Sequence, residues 1–445
     1  MKVLLKQLKQ DWLCGVVMSI LLLMLLSLWL ILMEQEFCAF DDMPYLSSYI
    51  GKLATEGRWI NYLIFYATKH INHTVAQYFN VLCLSCFCYC VVRKYCSLRY
   101  SIIVTLFSLL SLSFWYVSES PVTTMTMYLF TAIAAFVHDK MDKRIFFLIF
   151  GILYGGVIPP MYFLLPLLFL KESNQNIVKV VVYWILGYLV GFAVAELATY
   201  VRCGHLIEVA SWRHPNYITD WKSMYFNVCK EVKILVEHVR LMNWPALGCF
   251  IAAIVAHMWN YRGNVLRGGV VFLVFMLVIL SSYALGIATG IDIPVRTSWG
   301  LYLGGALFIA LSFRQYKYVQ AIVLLLAASS FFVSSFRVIS DKNVAQKMAK
   351  VSWESTNMHS AQVREVVILS HGLDAWSKKM NGIDRHTLLE PMRAMGIKRC
   401  GIAGEEYLER KKVDEKKLKY SKGVGFYYAL CNGILIMRID ESFFA

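Results

Sequence analysis

Long apolar segments alternate with short polar connections along most of the chain. Eleven of these segments are predicted to be membrane helices, although the two on either side of Pro159 are too short to cross the hydrocarbon core of a bilayer without tilt. The predicted crossings cover residues 12–33, 76–92, 101–117, 121–137, 145–157, 160–170, 178–198, 245–259, 269–287, 299–312 and 318–335. The pattern predicts a polytopic α-helical membrane protein.

Charge in the short connections predicts how these helices are oriented. Connections on one side contain Lys and Arg, and the short connections after the third and fifth helices contain neither. The positive-inside rule therefore predicts that the N-terminus and the basic connections face the cytoplasm. The basic residues are Arg93, Lys94, Arg99, Lys140, Lys143, Arg144, Lys171, Lys179, Arg262, Arg267, Arg314 and Lys317.

The same orientation predicts three pieces on the outer, periplasmic side. Two are loops of the membrane domain 1–336, at residues 34–75 and 200–243, and the third is the C-terminal domain 337–445. The tail is more polar than the membrane domain and long enough for a small domain. We expect a small α+β fold there, with strands at 366–370 and 433–438 and helices at 388–395 and 405–420.

Composition agrees with a membrane protein and removes one function class. The chain is 58% hydrophobic, with a mean hydropathy of +0.54. Its net charge of +15 could indicate a nucleic-acid partner. The excess lies in the short connections and the tail, however, so we expect membrane lipid and no nucleic acid as a partner.

Two adjacent carboxylates follow the first predicted crossing. Asp41 and Asp42 precede Pro44, which is favoured in the first turn of a helix, so Asp42 could serve as an N-cap. A role as N-cap would account for Asp42 but not for Asp41. Two amphipathic surface helices are predicted after the pair, over 44–53 and 58–68, which would hold the aspartates at the head-group level. There a carboxylate can deprotonate a hydroxyl, bind sugar hydroxyls, or bind Mg²⁺ or Mn²⁺.

Four motifs stand out along the membrane region: Asp41-Asp42, Gly57-Arg58-Trp59, the segment 114–121 with Glu119, and the segment 155–162. Together they resemble a known enzyme family. The chain is similar to the polytopic serotype-converting O-antigen glucosyltransferases of enteric bacteria and their phages, over about residues 10–335. Phe163 stands where glutamine is usual in that family.

The resemblance implies a GT-C fold and an inverting transfer at the periplasmic face of the bacterial inner membrane. The implied donor is undecaprenyl phosphate-linked glucose, and the implied acceptor is a sugar of the lipid-linked O-antigen of lipopolysaccharide. Asp41 and Asp42 are the expected catalytic residues, with Glu119 as a third acidic candidate. No metal ligand is assigned, and metal dependence stays open.

Such a transfer needs cations at the leaving phosphate and groups that contact the sugars. Arg296, Arg58 and the pair Arg213-His214 are the candidates for binding the phosphate. Other roles are open for each: Arg296 could extend to the membrane surface, Arg58 could pair with the aspartates or Glu56, and Arg213 could belong to an ordinary loop. The predicted substrate-binding residues are Tyr45, Trp59 and Tyr162.

Three other functions fit a chain of this kind less well. A related transferase could use another sugar or acceptor. A flippase for a lipid-linked glycan should carry charges deep in several helices, whereas here the helix centres hold few charges, Glu196 being the main exception. A membrane acyltransferase would need an embedded histidine, and His257 lies near the inner end of its helix.

Overall fold

A computed structural model describes most of the membrane region and part of the tail. The described residues are 2–33, 49–68, 70–118, 120–209, 213, 215–356, 362–369, 399–403, 418–423 and 426–439, with single positions at 388, 389, 392, 397, 408, 411 and 413. The chain divides into two compact units. The first contains residues 1–26 and 48–335, and the second contains residues 27–47 and 336–445.

Helices form most of the described chain up to Glu354, and the predicted apolar segments are helical apart from short breaks. The helices are α1 Lys2–Met33, α2 Ile50–Glu56, α3 Trp59–Thr68, α4 His73–Arg93, α5 Leu98–Ser108, α6 Leu112–Val117, α7 Pro121–Val137, α8 Lys143–Gly155, α9 Asn174–Cys203, α10 Trp221–Leu241, α11 Asn243–Asn260, α12 Val265–Thr289, α13 Gly305–Ser312 and α14 Lys317–Glu354, with 3-10 helices at Pro159–Phe169 and Val295–Thr297 and a π-helical turn at Gly300–Gly304.

Five described helices are long and apolar enough to cross a membrane, or six if the bent pair α10–α11 counts as one span. The five are α1, α4, α9, α12 and α14. The other predicted crossings are shorter or broken. The third is split into α5 and α6, and the tenth begins with the π-helical turn. The protein is thus a helical membrane protein, and the number of eleven crossings stays a prediction.

The segment 160–170 forms a 3-10 helix with a proline inside it, at Pro166. Its residues from Pro160 to Phe169 are all buried, and it packs against α7, α8, α9 and α12. Irregular backbone at membrane depth is tolerated where protein surrounds it. The segment is therefore surrounded by protein inside the bundle.

Glycines bring α8 and α9 into close contact. Gly151 and Gly155 on α8 face Gly187 and Gly191 on α9, so each helix contributes two glycines four residues apart. A Cβ atom at any of these four positions would overlap backbone atoms of the opposite helix. Small residues at this spacing let two membrane helices approach backbone to backbone.

The short connections with Lys and Arg meet at one end of the first unit, which we call the basic end. There Lys94 Nζ lies 3.0 Å from Asp139 Oδ1, and Lys143 Nζ lies 2.9 Å from Glu172 Oε1. The remaining connections meet at the other end, which we call the loop end. For example, Ser113 Oγ donates to the Val295 carbonyl at 2.7 Å. This grouping agrees with the sidedness that the charge pattern predicts.

The second unit contains a five-stranded mixed sheet. Its strands are β1 Glu365–Leu369, β2 Arg399–Ala403, β3 Ser421–Lys422, β4 Phe426–Cys431 and β5 Ile434–Ile439, in the order β2-β1-β5-β4-β3. β1 pairs in parallel with β2 and β5, and β4 forms an antiparallel hairpin with β5. Asn432 and Gly433 both have positive φ, as a two-residue hairpin turn requires. The two predicted strands fall on β1 and β5. The predicted helices lie largely outside the described residues.

Candidate functional site

Five of the predicted site residues lie outside the described residues. They are Asp41, Asp42, Tyr45, Glu119 and His214. Their roles therefore stay predictions from the sequence. The described candidates are Arg58, Trp59, Tyr162, Arg213 and Arg296.

A sharp corner between α2 and α3 positions the Gly57-Arg58-Trp59 motif. Gly57 ends α2 in the left-handed conformation, with φ +67°, and its N–H donates to the Leu53 carbonyl at 2.9 Å. A Cβ atom there would lie 2.5 Å from Ile207 Cδ1. Glycine is therefore needed both for the backbone conformation and for the close approach of the segment that follows α9.

Three cationic side chains converge on the carboxylate of Glu56, the last residue of α2. Arg58 forms an ion pair with Oε2, and Lys52 Nζ lies 3.1 Å from Oε1. Arg213, which follows α9, places Nη2 2.8 Å from the same Oε1. Arg58 is buried, at 7% exposure, and also donates to the Tyr49 hydroxyl at 3.4 Å. We call Lys52, Glu56, Arg58 and Arg213 the Glu56 cluster.

The cluster joins two residues that were predicted separately as candidates for binding the phosphate. Arg58 pairs with Glu56, one of the alternatives that the sequence left open for it, and Arg213 is tied into the same site rather than standing in an ordinary loop. Burial raises the pKa of Glu56, but the nearby charges of Arg58, Lys52 and Arg213 outweigh it and hold the pKa at about 2. Glu56 is therefore ionised across the physiological range.

Trp59 links this corner to the glycine-rich turn after α8. The N–H of Ile60 donates to the Gly156 carbonyl at 2.9 Å. A Cβ atom on Gly156 would lie 2.8 Å from Trp59 Cε2. The indole N–H of Trp59 is buried without a hydrogen-bond partner among the described residues. Two motifs of the family resemblance, around residues 58 and 156, are therefore in direct contact.

Arg296 lies on a different part of the loop end. It occupies the 3-10 turn Val295–Thr297, which is fixed by the bond from Ser113 to the Val295 carbonyl and by Ser282 Oγ, which donates to the Thr297 carbonyl at 3.0 Å. The Arg296 side chain is exposed and makes no hydrogen bond or ion pair with a described residue. The turn is rigidly held while the guanidinium faces outward.

Tyr162 does not join either group. It is fully buried, and its hydroxyl donates to the Trp184 carbonyl at 2.7 Å. Its ring packs among Phe147, Tyr154 and Tyr188. These contacts give Tyr162 a role in packing α8 and α9 together, and its hydroxyl is occupied by the Trp184 carbonyl.

The structure adds a helix that the sequence reading treated as part of the outer loop 200–243. Helix α10 begins with a capping box at Asp220 and Ser223 and is bent by 105° from α11. It buries polar residues and exposes many of its apolar ones. The buried polar residues are Asn227, Glu231 and His238, and the exposed apolar residues include Trp221, Tyr225, Val232 and Val236. An apolar stripe on the outer surface fits a helix that lies along the membrane interface. Two features of the sequence indicate this helix. One is the N-cap at Asp220, and the other is the spacing of the buried polar residues, four residues from Asn227 to Glu231 and seven from Glu231 to His238.

The buried face of α10 packs against α12 and the segment that carries Arg296. His238 Nδ1 lies 2.8 Å from the Tyr283 hydroxyl and 3.0 Å from Ser298 Oγ. Glu231 is 2% exposed, and neither of its carboxylate oxygens has a hydrogen-bond partner among the described residues. Burial and the charge of Asp292 raise the pKa of Glu231 to about 7, against the lowering effect of Lys230.

The described ranges contain no group of three or more His, Cys, Asp or Glu side chains that could hold a metal ion. The described part of the site is a cation-rich cluster, a neighbouring aromatic residue and an exposed arginine, all at the loop end.

Neither a protein-family model, nor a curated protein sequence, nor a solved structure matches this chain.

Proposed function

We propose that this protein is an inverting membrane glycosyltransferase. It moves glucose from undecaprenyl phosphate-linked glucose to a sugar of the lipid-linked O-antigen. The proposal includes a GT-C-like arrangement of eleven crossings, in the bacterial inner membrane, with the active site at the periplasmic face. The helical membrane unit and the sequence resemblance support it, and the Glu56 cluster is the observation that carries it.

The Glu56 cluster supports a site for a lipid phosphate. Lys52, Arg58 and Arg213 come from two segments far apart in the chain, and they meet at the end opposite the basic connections. Charge-assisted hydrogen bonds from arginine suit phosphate oxygens, and a lipid-linked donor presents its phosphate at the membrane surface. In the sequence, Asp41 and Asp42 precede Arg58, the buried cation of this cluster, by fewer than twenty residues.

In the proposed reaction an acceptor hydroxyl attacks the anomeric carbon of the donor glucose. Asp41 or Asp42 takes the hydroxyl proton as a new C–O bond forms. The bond from the anomeric carbon to the phosphate oxygen breaks, and the undecaprenyl phosphate leaves with the electron pair. Cations of the cluster stabilise the charge that develops on that phosphate, and Arg296 is the alternative cation for this role. A single displacement of this kind inverts the anomeric centre.

One observation favours a second candidate, a transporter for a lipid-linked glycan. Glu231 is a buried carboxylate with no hydrogen-bond partner among the described residues, and proton-coupled transporters use such groups. A transferase for another sugar or acceptor would use the same cluster as the leading proposal. Measuring hexose addition and glycan translocation in the same cells distinguishes a transferase from a transporter.

The test compares the wild type with Asp41→Asn and Asp42→Asn in cells that supply undecaprenyl phosphate-linked glucose and O-antigen. Mass spectrometry of the O-antigen measures the added hexose. Glu208→Gln is a matched control, because it removes an exposed carboxylate at the same end. We expect hexose with the wild type and the control, and its loss in at least one aspartate variant that still inserts into the membrane.

Arg213→Gln tests the cluster in the same cells, with Arg240→Gln as a control for the loss of an exposed arginine from α10. We expect reduced transfer only for Arg213→Gln. Full transfer by both aspartate variants would overturn the assignment of the base. A wild type that adds no hexose but raises the amount of translocated glycan would favour the transporter.

A further inference from the structure

A second cationic site lies at the basic end, away from the Glu56 cluster. Here a cavity of about 220 Å³ opens between the ends of five helices and their connections. The polar side chains of its lining are Tyr95, Lys171, His257, Tyr261, Arg267 and Arg314. One water needs only about 10–15 Å³, so the cavity has room for a larger polar group.

Backbone contacts hold one of the three cations firmly in place. Arg267 donates to the Leu170 carbonyl, to the Glu172 carbonyl at 2.6 Å and to Asn174 Oδ1 at 3.0 Å. These bonds fix its guanidinium at the cavity wall without a carboxylate partner among the described residues. The cavity therefore has a positive charge that is positioned before any ligand arrives.

The other two cations are more accessible. The Lys171 ammonium lies 5.7 Å from the centre of the Tyr95 ring. Arg314 is exposed and makes no hydrogen bond or ion pair within the part of the chain that the structure describes. Both side chains can turn toward a ligand while Arg267 stays fixed.

No acidic side chain lines the cavity among the described residues. The carboxylate of Glu172 is close in sequence but is engaged elsewhere, with Lys143 Nζ at 2.9 Å and with Asn176 Nδ2 at 3.1 Å. His257, buried in the cavity wall, places Nε2 3.0 Å from the Gly268 carbonyl. Three cations thus face one cavity without a described counter-ion, an arrangement that favours an anionic ligand.

We propose that this cavity binds a phosphate group, carried either by an anionic lipid head group or by a soluble phosphate. Basic pockets between membrane helices are suited to lipid phosphates, and arginine binds phosphate oxygens through two parallel hydrogen bonds. The charge pattern predicts that this end faces the cytoplasmic leaflet. The site is independent of the proposed transfer reaction at the loop end.

The test measures binding of phosphatidylglycerol and of phosphatidylcholine to the purified full-length protein by native mass spectrometry. Arg314→Gln removes the cation that has no described partner. Arg262→Gln is the matched control, because Arg262 is an exposed arginine of the same end, stacked over Trp259 at 4.5 Å and outside the cavity lining. We expect a roughly ten- to hundredfold weaker affinity for phosphatidylglycerol in Arg314→Gln and no change in Arg262→Gln.

A competition arm with inorganic phosphate identifies the source of the ligand. Displacement of phosphatidylglycerol by millimolar phosphate would support a site for soluble phosphate, whereas its retention would support a lipid site. Thermal unfolding of each variant checks that the fold is intact, and Lys171→Gln provides a second variant if Arg314→Gln unfolds. Equal affinities of the wild type and the cavity variants, or an equal loss in Arg262→Gln, would overturn the proposal.

Discussion

Glu56 and Arg213 form an ion pair at 2.8 Å although 157 residues separate them in the chain. The pair ties the segment after α9 to the corner that follows α2. Nearby, the N–H of Glu208 donates to the Ala54 carbonyl at 3.1 Å. The loop end is therefore organised around one carboxylate, and the stability of this region should depend on its charge.

Acid should weaken the fold through Glu56. Its pKa is lowered from 4.5 to about 2, so its stabilising effect is complete above pH 4.5 and is lost as the pH falls toward 2. The full effect is about 3 kcal/mol. We expect the Tm of the wild type to exceed that of Glu56→Gln at pH 6 and the difference to shrink at pH 3. A difference that is independent of pH would contradict the ion-pair interpretation.

Glu231 should have the opposite effect on the dependence of stability on pH. Its pKa is raised from 4.5 to about 7, so the folded protein prefers the protonated form and loses stability as the pH rises from 4.5 through 7. We expect Glu231→Gln to be more stable than the wild type by about 3 kcal/mol at pH 8 and to differ little near pH 4. Thermal unfolding in detergent at the two pH values measures this. A destabilised glutamine variant at pH 8 would mean that the carboxylate has a partner.

The glycine crossing of α8 and α9 should not tolerate even a methyl group. A Cβ atom at Gly191 would overlap the Gly151 carbonyl. We expect Gly191→Ala to lose about 1–3 kcal/mol of stability, the usual cost of overpacking. Gly248→Ala on α11 is the control, because no atom lies within 4 Å of a Cβ atom there. Equal Tm values for the two variants would show that the helices can separate without cost.

Asn243 forms the corner between α10 and α11. It has φ +65°, and its side chain donates to the Ser330 carbonyl at 3.2 Å and to Ser334 Oγ at 2.7 Å. Asn243→Gly loses these bonds but accepts the backbone conformation, whereas Asn243→Val adds about 1–2 kcal/mol of strain. We expect both variants to be less stable than the wild type, with valine the lower in Tm. Equal Tm values for glycine and valine would show that the bend can relax.

The membrane helices could be located from the sequence because lipid imposes a simple rule. A segment such as 178–198 must be apolar over its length, and its neighbours must carry the charges, so hydropathy and charge suffice. The structure extends this segment to Asn174–Cys203, and Glu196 near its end accepts from the Ile207 N–H at 2.7 Å. Two of the five strands of the tail, β1 and β5, followed from their β-branched runs.

The sequence analysis did not predict helix α10, because polar and apolar residues are interspersed along it and no long apolar run marks it. Asn227 and Glu231 resemble loop residues in a linear reading, yet they form its buried face, and only the packing of α12 against them decides this. The Glu56 cluster could not be predicted from the sequence either. The sequence marked Arg58 and Arg213 as cations of interest, but their meeting depends on where the chain turns after α9.

The sequence by itself determined that the chain is a helical membrane protein, where its apolar helices lie, which of its connections are basic and which residues could carry chemistry. These properties are set by local hydrophobicity and by charge along the chain. Only the tertiary structure decided which of these residues meet: Arg58 with Arg213 at Glu56, and Lys171 with Arg267 and Arg314 around one cavity. Contacts between distant segments depend on helix packing and on turns such as Gly57, and no local pattern specifies them.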